Sequence, residues 1–313
     1  MSDDQKHLVP WGPEKKLKWF VSQRVKRSYR DDVLVRLEAL RKSAQPGFVV
    51  EPYGNLSLEP DRYPLFAIRL GDWSQRKPTI LITGGVHGYE TSGVKGALSF
   101  VENTASSYLD HFNFVVAPCI SPWSYETVNR LNPVMENPNR EFKPDGKAEE
   151  CQFLMAYLAK LGVEFEAHFD LHETTDSDLG FIPEEYAKNG RFIEAKDVTI
   201  PDGFFLIGTT GGLHLELEKA MIESVRKVTH IAKADARGMI GDDPKSHDGV
   251  VHGSIPGLCA EYTAAKTRWG AYTTEMYPDS HRFKALGNAE VETLCSDVQA
   301  ACLRGALDFW VRS

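Results

Sequence analysis

The segment Thr79-Ile-Leu-Ile-Thr-Gly-Gly-Val-His-Gly-Tyr-Glu-Thr-Ser-Gly93 constrains this chain most. Thr79 to Thr83 is a short β-branched and apolar run stopped by a glycine pair, the pattern of a buried strand ending in a turn. Gly84, Gly85 and Gly88 let the backbone turn sharply, and the turn presents His87 and Glu90 three residues apart. If the chain coils there, the imidazole and the carboxylate share one face of a helical turn and can bind one metal ion. That is half of a metal site.

The other half is expected at His172. Phe165 to Leu171 reads as a second buried strand that ends at this histidine, in His-Phe-Asp-Leu-His-Glu-Thr-Thr175. In an open α/β sheet, ligands collect just outside the carboxyl ends of the strands, so two such ends can bring His87, Glu90 and His172 to one point. Two histidines and one carboxylate make a catalytic zinc set with a position open to water, here for one Zn2+ ion. Read alone, His172 is also what a satisfied core histidine looks like. Asp170, two residues earlier on the same strand face, is placed to hydrogen-bond a ligand histidine or, alternatively, to form a salt bridge elsewhere. His168, His214, His247 and His252 lack such context and read as surface or structural residues.

The rest of the chain bounds the setting. A length of 313 residues with no Pro/Ser-rich linker predicts one α/β domain over 1–313, with an N-terminal helical segment over 1–46 and an insertion beside the cleft over 179–212. No signal-type apolar segment follows Met1 and no run of eighteen apolar residues occurs, so a cytoplasmic location without membrane association is expected. Cys119, Cys151, Cys259, Cys295 and Cys302 are odd in number and widely spaced, which predicts reduced core thiols. A net charge of −8 gives no reason to expect nucleic acid as a partner. The basic stretch from Lys15 to Arg30 reads as a solvated helix face whose Trp19, Phe20 and Val21 cover the core; the competing reading is a patch for an acidic partner or a membrane surface.

Along the chain, Tyr29 to Ser43 carries an amphipathic stripe of Val33, Leu37 and Leu40, and predicts a helix ended by Gly47. Strands are expected at Phe48 to Val50, Leu65 to Leu70, Thr79 to Thr83, Phe112 to Ala117, Glu164 to Leu171 and up to Glu275. Helices are expected from Ser92 to Glu102, Ala148 to Leu161, Leu213 to Ala232 and Ala289 to Val311. Pro118 to Gly146 reads as a long loop, and Leu179 to Gly212 as a segment with short strands of its own. Alternating strands and helices predict a mostly parallel sheet.

Taken in order, these motifs resemble the zinc carboxypeptidases of the carboxypeptidase A type, together with the aspartoacylases and succinylglutamate desuccinylases. GGVHGYETSG resembles that family's HxxE zinc motif, and DLHETT the strand that delivers its second zinc histidine. The resemblance implies a three-layer α/β/α fold with a mixed, mostly parallel central sheet. It also implies that Asn139 and Arg140 of NPNREF grip a substrate carboxylate, and that Arg130 of TVNRLNP polarises the scissile carbonyl. A late strand should carry the general base: AYTTEMYP offers Glu275, and CAEYT offers Glu261 as its rival. The flexible tyrosine of true carboxypeptidases has only Tyr262 and Tyr272 as candidates. The implied substrate is a small peptide that loses its C-terminal residue, or alternatively an N-acyl amino acid; a third reading is a binding protein without activity on the same scaffold. Oligomeric state is not legible in the sequence.

Overall fold

The structure, a computed structural model, describes residues 9–43, 47–209 and 214–312. Its strands are β1 (Phe48–Asn55), β2 (Pro64–Leu70), β3 (Thr79–Gly84), β4 (Asn113–Ala117), β5 (Phe165–Glu173), β6 (Phe205–Gly208), β7 (Met239–Ile240), β8 (Asp243–His247), β9 (Val250–His252) and β10 (Ala271–Met276). They form one mixed sheet in the order β1-β2-β4-β3-β5-β10-β6-β9-β8-β7. Its helices are α1 (Pro13–Ser22), α2 (Val35–Ser43), α3 (Thr91–Asn103), α4 (Pro122–Thr127), α5 (Glu149–Leu161), α6 (Asp178–Lys188), α7 (Leu215–Arg226), α8 (Cys259–Ala264) and α9 (Asn288–Arg312).

The four central strands β4, β3, β5 and β10 are parallel, as is the β6–β9 pair. The expectation of a mostly parallel sheet is corrected: β1–β2, β2–β4, β10–β6, β8–β9 and β7–β8 are antiparallel, and they outnumber the parallel pairs. The reason is partly local. The neighbours β1–β2, β7–β8 and β8–β9 are joined by short connections and so pair antiparallel, the β7–β9 strands are too short to announce themselves as a period in the sequence, and β2–β4 and β6–β10 reverse direction across longer connections. Parallel strands need long crossovers, which here carry α3, α5 and the closing segments.

Alternation along the central strands sends neighbouring side chains to opposite faces. Ile80, Ile82, Phe114 and Val116 join a cluster with Val94 and Phe100 of α3, Met221 of α7 and Val298 of α9. Leu81, Val115 and Ala117 join a separate cluster with Leu154 and Leu158 of α5 and Cys259 of α8. Every residue of β3 and β4 is buried, and each large apolar side chain so removed from water stabilises the fold by roughly 1.5–3 kcal/mol. All five cysteines are free and buried.

Three local readings change. The stripe from Tyr29 begins as a π-helical turn over Arg30–Leu34 before continuing as α2. The loop after Pro118 contains α4, which opens on Pro122 at its first position and closes on Val128 in a left-handed conformation. The segment from Leu179 begins inside α6, which contains Pro183, continues as largely irregular chain and ends in β6, a strand of the main sheet. Position 213 of the expected helix at Leu213 lies outside the described residues, and α7 starts at Leu215. Among the described residues no helix is long and apolar enough to cross a membrane.

The basic N-terminal stretch divides by position. Lys15 and Lys18 are exposed, Lys16 and Phe20 are half-buried and Trp19 of α1 is buried, as on a solvated helix face, but Val21 is exposed and does not cover the core. Arg27 has a different task. It donates to Tyr125 O and Thr91 Oγ1, each at 2.6 Å, and to Gly88 O, so it fixes the turn that carries His87 and Glu90.

Candidate metal centre and its cleft

The turn after β3 is shaped by glycine at two places. Gly85 has φ +63°, and a β-carbon on Gly88 would lie 1.9 Å from the carbonyl carbon of Ser124 in α4, so the turn closes against α4 only without a side chain there. This packing aims His87 and Glu90 across the end of β3 towards the end of β5. Parallel register puts Glu275 beside His172 on adjacent strands. The strand ends therefore bring His87, Glu90, His172 and Glu275 into one cleft, which Arg130, Asn139 and Arg140 also line.

His87, Glu90 and His172 are buried and offer donor atoms that lie within 4.8 Å of one another. His87 Nδ1 is 2.7 Å from Glu90 Oε1, and His172 Nδ1 is 2.7 Å from Glu90 Oε2. The outward ring nitrogens face acceptors: His87 Nε2 donates to Asn137 Oδ1 at 3.0 Å, and His172 Nε2 to Asp170 Oδ2 at 2.9 Å. The Asn137 amide cannot be turned over, since its Oδ1 accepts from Asn139 N and its Nδ2 donates to Glu185, each at 2.9 Å. In the neutral tautomers this leaves both Nδ1 lone pairs directed at the Glu90 carboxylate, whose Oε2 is buried without a hydrogen-bond donor. Lone pairs converging at that range fit a cation, and the His-Glu-His set fits zinc.

Electrostatics agree with that fit at Glu90 and His87, while at His172 a bound ion would displace a proton that Glu90 and Asp170 favour in its absence. Burial works against charge on Glu90, but His172 and His87 outweigh it and hold its carboxyl far below the usual range. Burial and then the Arg130 charge lower the His87 pKa, favouring the neutral ring that ligates a metal. His172 also loses by burial, yet Glu90 and Asp170 raise its pKa well above the ordinary value in the metal-free protein.

Behind His172 runs a buried chain. Thr83 Oγ1 donates to Asp170 Oδ1 at 2.6 Å and therefore accepts from His168 Nε2 at 2.7 Å; Thr263 Oγ1 lies 2.7 Å from His168 Nδ1. Burial pushes the His168 pKa down to about 4, so the ring is neutral. His168 is thus structural, as expected, and Asp170 supports His172. The second buried group of His168, Asp170 and Cys259 has its nitrogens and one carboxylate oxygen engaged within this chain.

Glu275 accepts from Thr174 Oγ1 at 2.9 Å. Burial pushes its pKa up to about 8, with His172 opposing and Glu90 adding to the rise. A carboxyl perturbed by burial in a cleft beside a candidate metal set is placed for proton transfer. The rival Glu261 does not line the cleft and is hydrogen-bonded by Ser254. Neither Tyr262 nor Tyr272 lines the cleft; Tyr272 stacks on Phe169 in the core.

The two arginines differ. Arg130 donates through Nε to Glu185 at 2.9 Å and through Nη1 to Tyr89 Oη at 3.1 Å, with Asp178 at 3.5 Å. Arg140 donates to Asn139 O at 2.6 Å and, among the described residues, has no carboxylate within ion-pair distance. Burial, then the Arg130 charge, lowers its pKa, the mark of a guanidinium short of a counter-ion. Asn139 accepts from Cys259 N through Oδ1 at 2.9 Å, which turns its NH2 group towards His172 and the cleft.

Sequence reasoning missed Tyr89, Asn137, Asp178 and Glu185, which brace Arg130 and His87. Tyr89 and Asn137 stand inside the motifs already noticed, and only their contacts across the fold reveal their use. Gln299 of α9 was equally hidden; its Nε2 donates to His172 O at 2.9 Å.

Residues 76–194 match the model of the succinylglutamate desuccinylase/aspartoacylase catalytic domain. In three dimensions the chain is similar to a candidate metallopeptidase from Shewanella amazonensis (17% identity, TM-score 0.64, covering 96% of this chain and 98% of that one). It is also similar to a metallo-carboxypeptidase from Burkholderia cenocepacia (15% identity, TM-score 0.60, 97% and 71%). A third likeness is to a metallo-carboxypeptidase from Pseudomonas aeruginosa in complex with (2-guanidinoethylmercapto)succinic acid (15% identity, TM-score 0.55, 95% and 70%). At these identities the likeness is one of fold. No curated protein sequence matches the chain.

Proposed function

Starting from a zinc carboxypeptidase-like chain with desuccinylase and aspartoacylase relatives, we propose a zinc-dependent hydrolase that cleaves an amide bond next to a free carboxylate, foremost as a carboxypeptidase that removes a C-terminal residue. The observation that carries this reading is the unpaired Arg140 in the cleft that holds the His87–Glu90–His172 set and Glu275.

His87, Glu90 and His172 would hold the ion. Bound there, zinc supplies a water acidified towards neutral pH and a Lewis acid for the carbonyl. The chain's own groups do the rest. Arg140 pairs with the substrate carboxylate, for which a planar guanidinium is suited, and the Asn139 NH2 group adds a donor. Glu275 in its ionised form takes the proton of the attacking water and returns it to the leaving nitrogen. Arg130, braced by Glu185 and Tyr89, presents positive charge to the carbonyl oxygen as that oxygen becomes an anion. Water held off by the buried strand ends strengthens each of these interactions.

A second reading, an N-acyl amino acid deacylase, is favoured by the family match over residues 76–194. The same groups serve it, since its amine product also carries a free carboxylate. The deciding experiment is hydrolysis by metal-quantified protein of C-terminal peptides beside N-acetyl- and N-succinyl-amino acids, with and without chelator. Chelator-sensitive release of a C-terminal residue supports the first reading, and release of acetate or succinate the second. Absence of turnover on both sets with one zinc bound overturns both in favour of a binding protein. Arg140→Ala should raise KM by about 10- to 100-fold for substrates with a free carboxylate and leave carboxyl-amidated analogues unaffected. An equal loss on both would assign Arg140 to folding.

A further inference from the structure

On the face of the sheet turned away from the cleft, a buried carboxylate stands between two imidazoles. Ile207 of β6 and Thr273 of β10 are paired and line the cleft, so alternation turns their neighbours Gly208 and Tyr272 to the opposite face. Gly208 and Tyr272 are themselves paired, and parallel register adds His252 of β9 to the row. Glu218 of α7 reaches down onto it. Its Oε1 is 2.9 Å from His252 Nε2, and its Oε2 is 3.6 Å from the Nε2 of His247, the last residue of β8. A β-carbon on Gly208 would lie 2.8 Å from His252 Cδ2 and 3.2 Å from Glu218 Oε1, so the groups meet only because that position is glycine.

This spot holds polar atoms that the fold does not satisfy. Glu218 Oε2 and His247 Nε2 are both buried without a hydrogen bond, although they face each other. Tyr272 Oη is a third such atom, and lies close enough for the Glu218 charge to add to burial in raising the pKa of the phenol. Native folds leave few buried polar atoms unpaired, and a group of them marks a place made for something else. Burial lowers the His247 pKa against the pull of Glu218, which favours the neutral ring that can ligate a metal. Both histidine side chains keep an edge in solvent, 18% exposed at His247 and 13% at His252, so an ion has a way in.

We propose that Glu218, His247 and His252 form a second site for a divalent transition-metal ion of the zinc class, separate from the one in the cleft. Two imidazoles and a carboxylate are a donor set that zinc accepts, whereas magnesium and calcium prefer oxygen alone. The site is looser than the cleft's. Its rings are centred 6.4 Å apart, against 5.1 Å for His87 and His172, so binding draws the β8–β9 hairpin in towards α7. His247 Nδ1 meets only Ser246 Oγ at 3.4 Å, with no carboxylate or amide behind it among the described residues, as Asp170 and Asn137 stand behind the cleft histidines. Want of such support lowers metal affinity by about 10- to 100-fold, so dialysed protein keeps only the cleft ion. The second ion is a clamp between α7 and the hairpin, and takes no part in hydrolysis.

The test is a titration of the metal-free, full-length protein with Zn2+ in competition with a chromogenic chelator, run on the wild type, His247→Ala and His252→Ala. The wild type should take up two equivalents, the second about 10- to 100-fold weaker than the first. Each variant should bind one equivalent fewer, keep the tighter one, and hydrolyse whatever the wild type hydrolyses at the same rate. Excess Zn2+ should also raise the melting temperature of the wild type above that of either variant, since an ion bound only by the folded state stabilises it. Uptake that is the same in all three proteins overturns the site, wherever the zinc then sits. A measurement on the wild type alone guards against a variant that fails to fold: the ring-proton resonances of His247 and His252 should shift as the second equivalent is added. Resonances that stay in place through an excess of Zn2+ overturn the site as well. Equal competition by Mg2+ would reduce it to a bare carboxylate and overturn the role of the two rings.

Discussion

The lining contributed by the ends of β3, β5 and β10 and the lining contributed by residues 198–258 are held in different ways. On the strand ends, each ring nitrogen of His87 and His172 has an assigned neighbour, the Asn137 amide is locked from both sides, and even the main-chain oxygen of His172 is bonded by Gln299. The later lining is mostly apolar, and Asp243 within it has no partner among the described residues. Ile255 is half exposed. Chemistry needs donors fixed to a fraction of an ångström, which hydrogen-bonded chains on rigid strands provide; side-chain recognition tolerates a looser wall, here made of β6, the start of β8 and the loops beside them. Arg130 and Arg140 repeat the contrast at short range, one braced by acids and the other awaiting one.

The difference is broken most severely at the metal set. His172→Ala should abolish zinc binding and reduce activity to background, whereas Asp243→Asn should keep one zinc per chain; elemental analysis of both variants decides it. Loss of zinc in Asp243→Asn would mean that the two linings are one structural unit.

Glu275→Gln tests the strand ends without touching a ligand. We expect zinc to be retained and kcat to fall by roughly 10²- to 10⁴-fold. The pH profile sharpens the test. Only the ionised carboxylate accepts a proton, so the wild-type rate should rise with pH through the Glu275 pKa, which burial places at about 8 in the metal-free protein and which a bound cation draws lower. That limb should vanish in the variant. The stability consequence has the opposite sense. A carboxyl whose folded pKa exceeds its unfolded 4.5 holds its proton better when folded, so wild-type stability falls as pH rises from 4.5 towards 8. Metal-free Glu275→Gln should then melt above wild type at pH 8 and alongside it at pH 4; the reverse order would mean that burial does not strain Glu275.

How much of this was legible follows the same division. His87, Glu90 and His172 stand in motifs where an apolar strand stops at a turn, a signal contained within a dozen residues, and β5 and β10 were found from the same pattern. The parallel register that sets Glu275 beside His172 could be expected only from family resemblance. Asp243 and the β7–β9 strands were invisible, because strands of two to five residues have no period and an unpaired acid looks like any surface acid. The mostly parallel sheet is misjudged partly for the same reason, since three of its five antiparallel pairs lie at the short or hairpin-linked edges. α4 was hidden by its length of one and a half turns and by prolines that read as loop.

Thr83→Val should show how far the fixed lining depends on atoms that touch no substrate. The change removes a hydroxyl that serves both Asp170 and His168. It leaves a buried carboxylate oxygen and a ring N–H without partners, at a cost of about 1–3 kcal/mol for each group. Weaker hold on His172 should lower zinc affinity by about 10- to 100-fold, measured by competition with a chromogenic chelator. Unchanged affinity would show that Asp170 orients His172 unaided.

The smallest effect is expected in the later lining. Ile255 is 50% exposed, so truncation to Ala removes little buried area and should change stability by less than about 0.5 kcal/mol. Its contact with a bound side chain is another matter. Loss of methylene contacts in an apolar pocket is worth roughly 1–3 kcal/mol at most, and less where the wall is half open, so Ile255→Ala should raise KM a few-fold for long side chains and leave kcat and zinc content as they were. A fall in kcat would place Ile255 among the groups that align the scissile bond. The later lining would then share the chemical work of the strand ends, and the division between the two would lose its meaning.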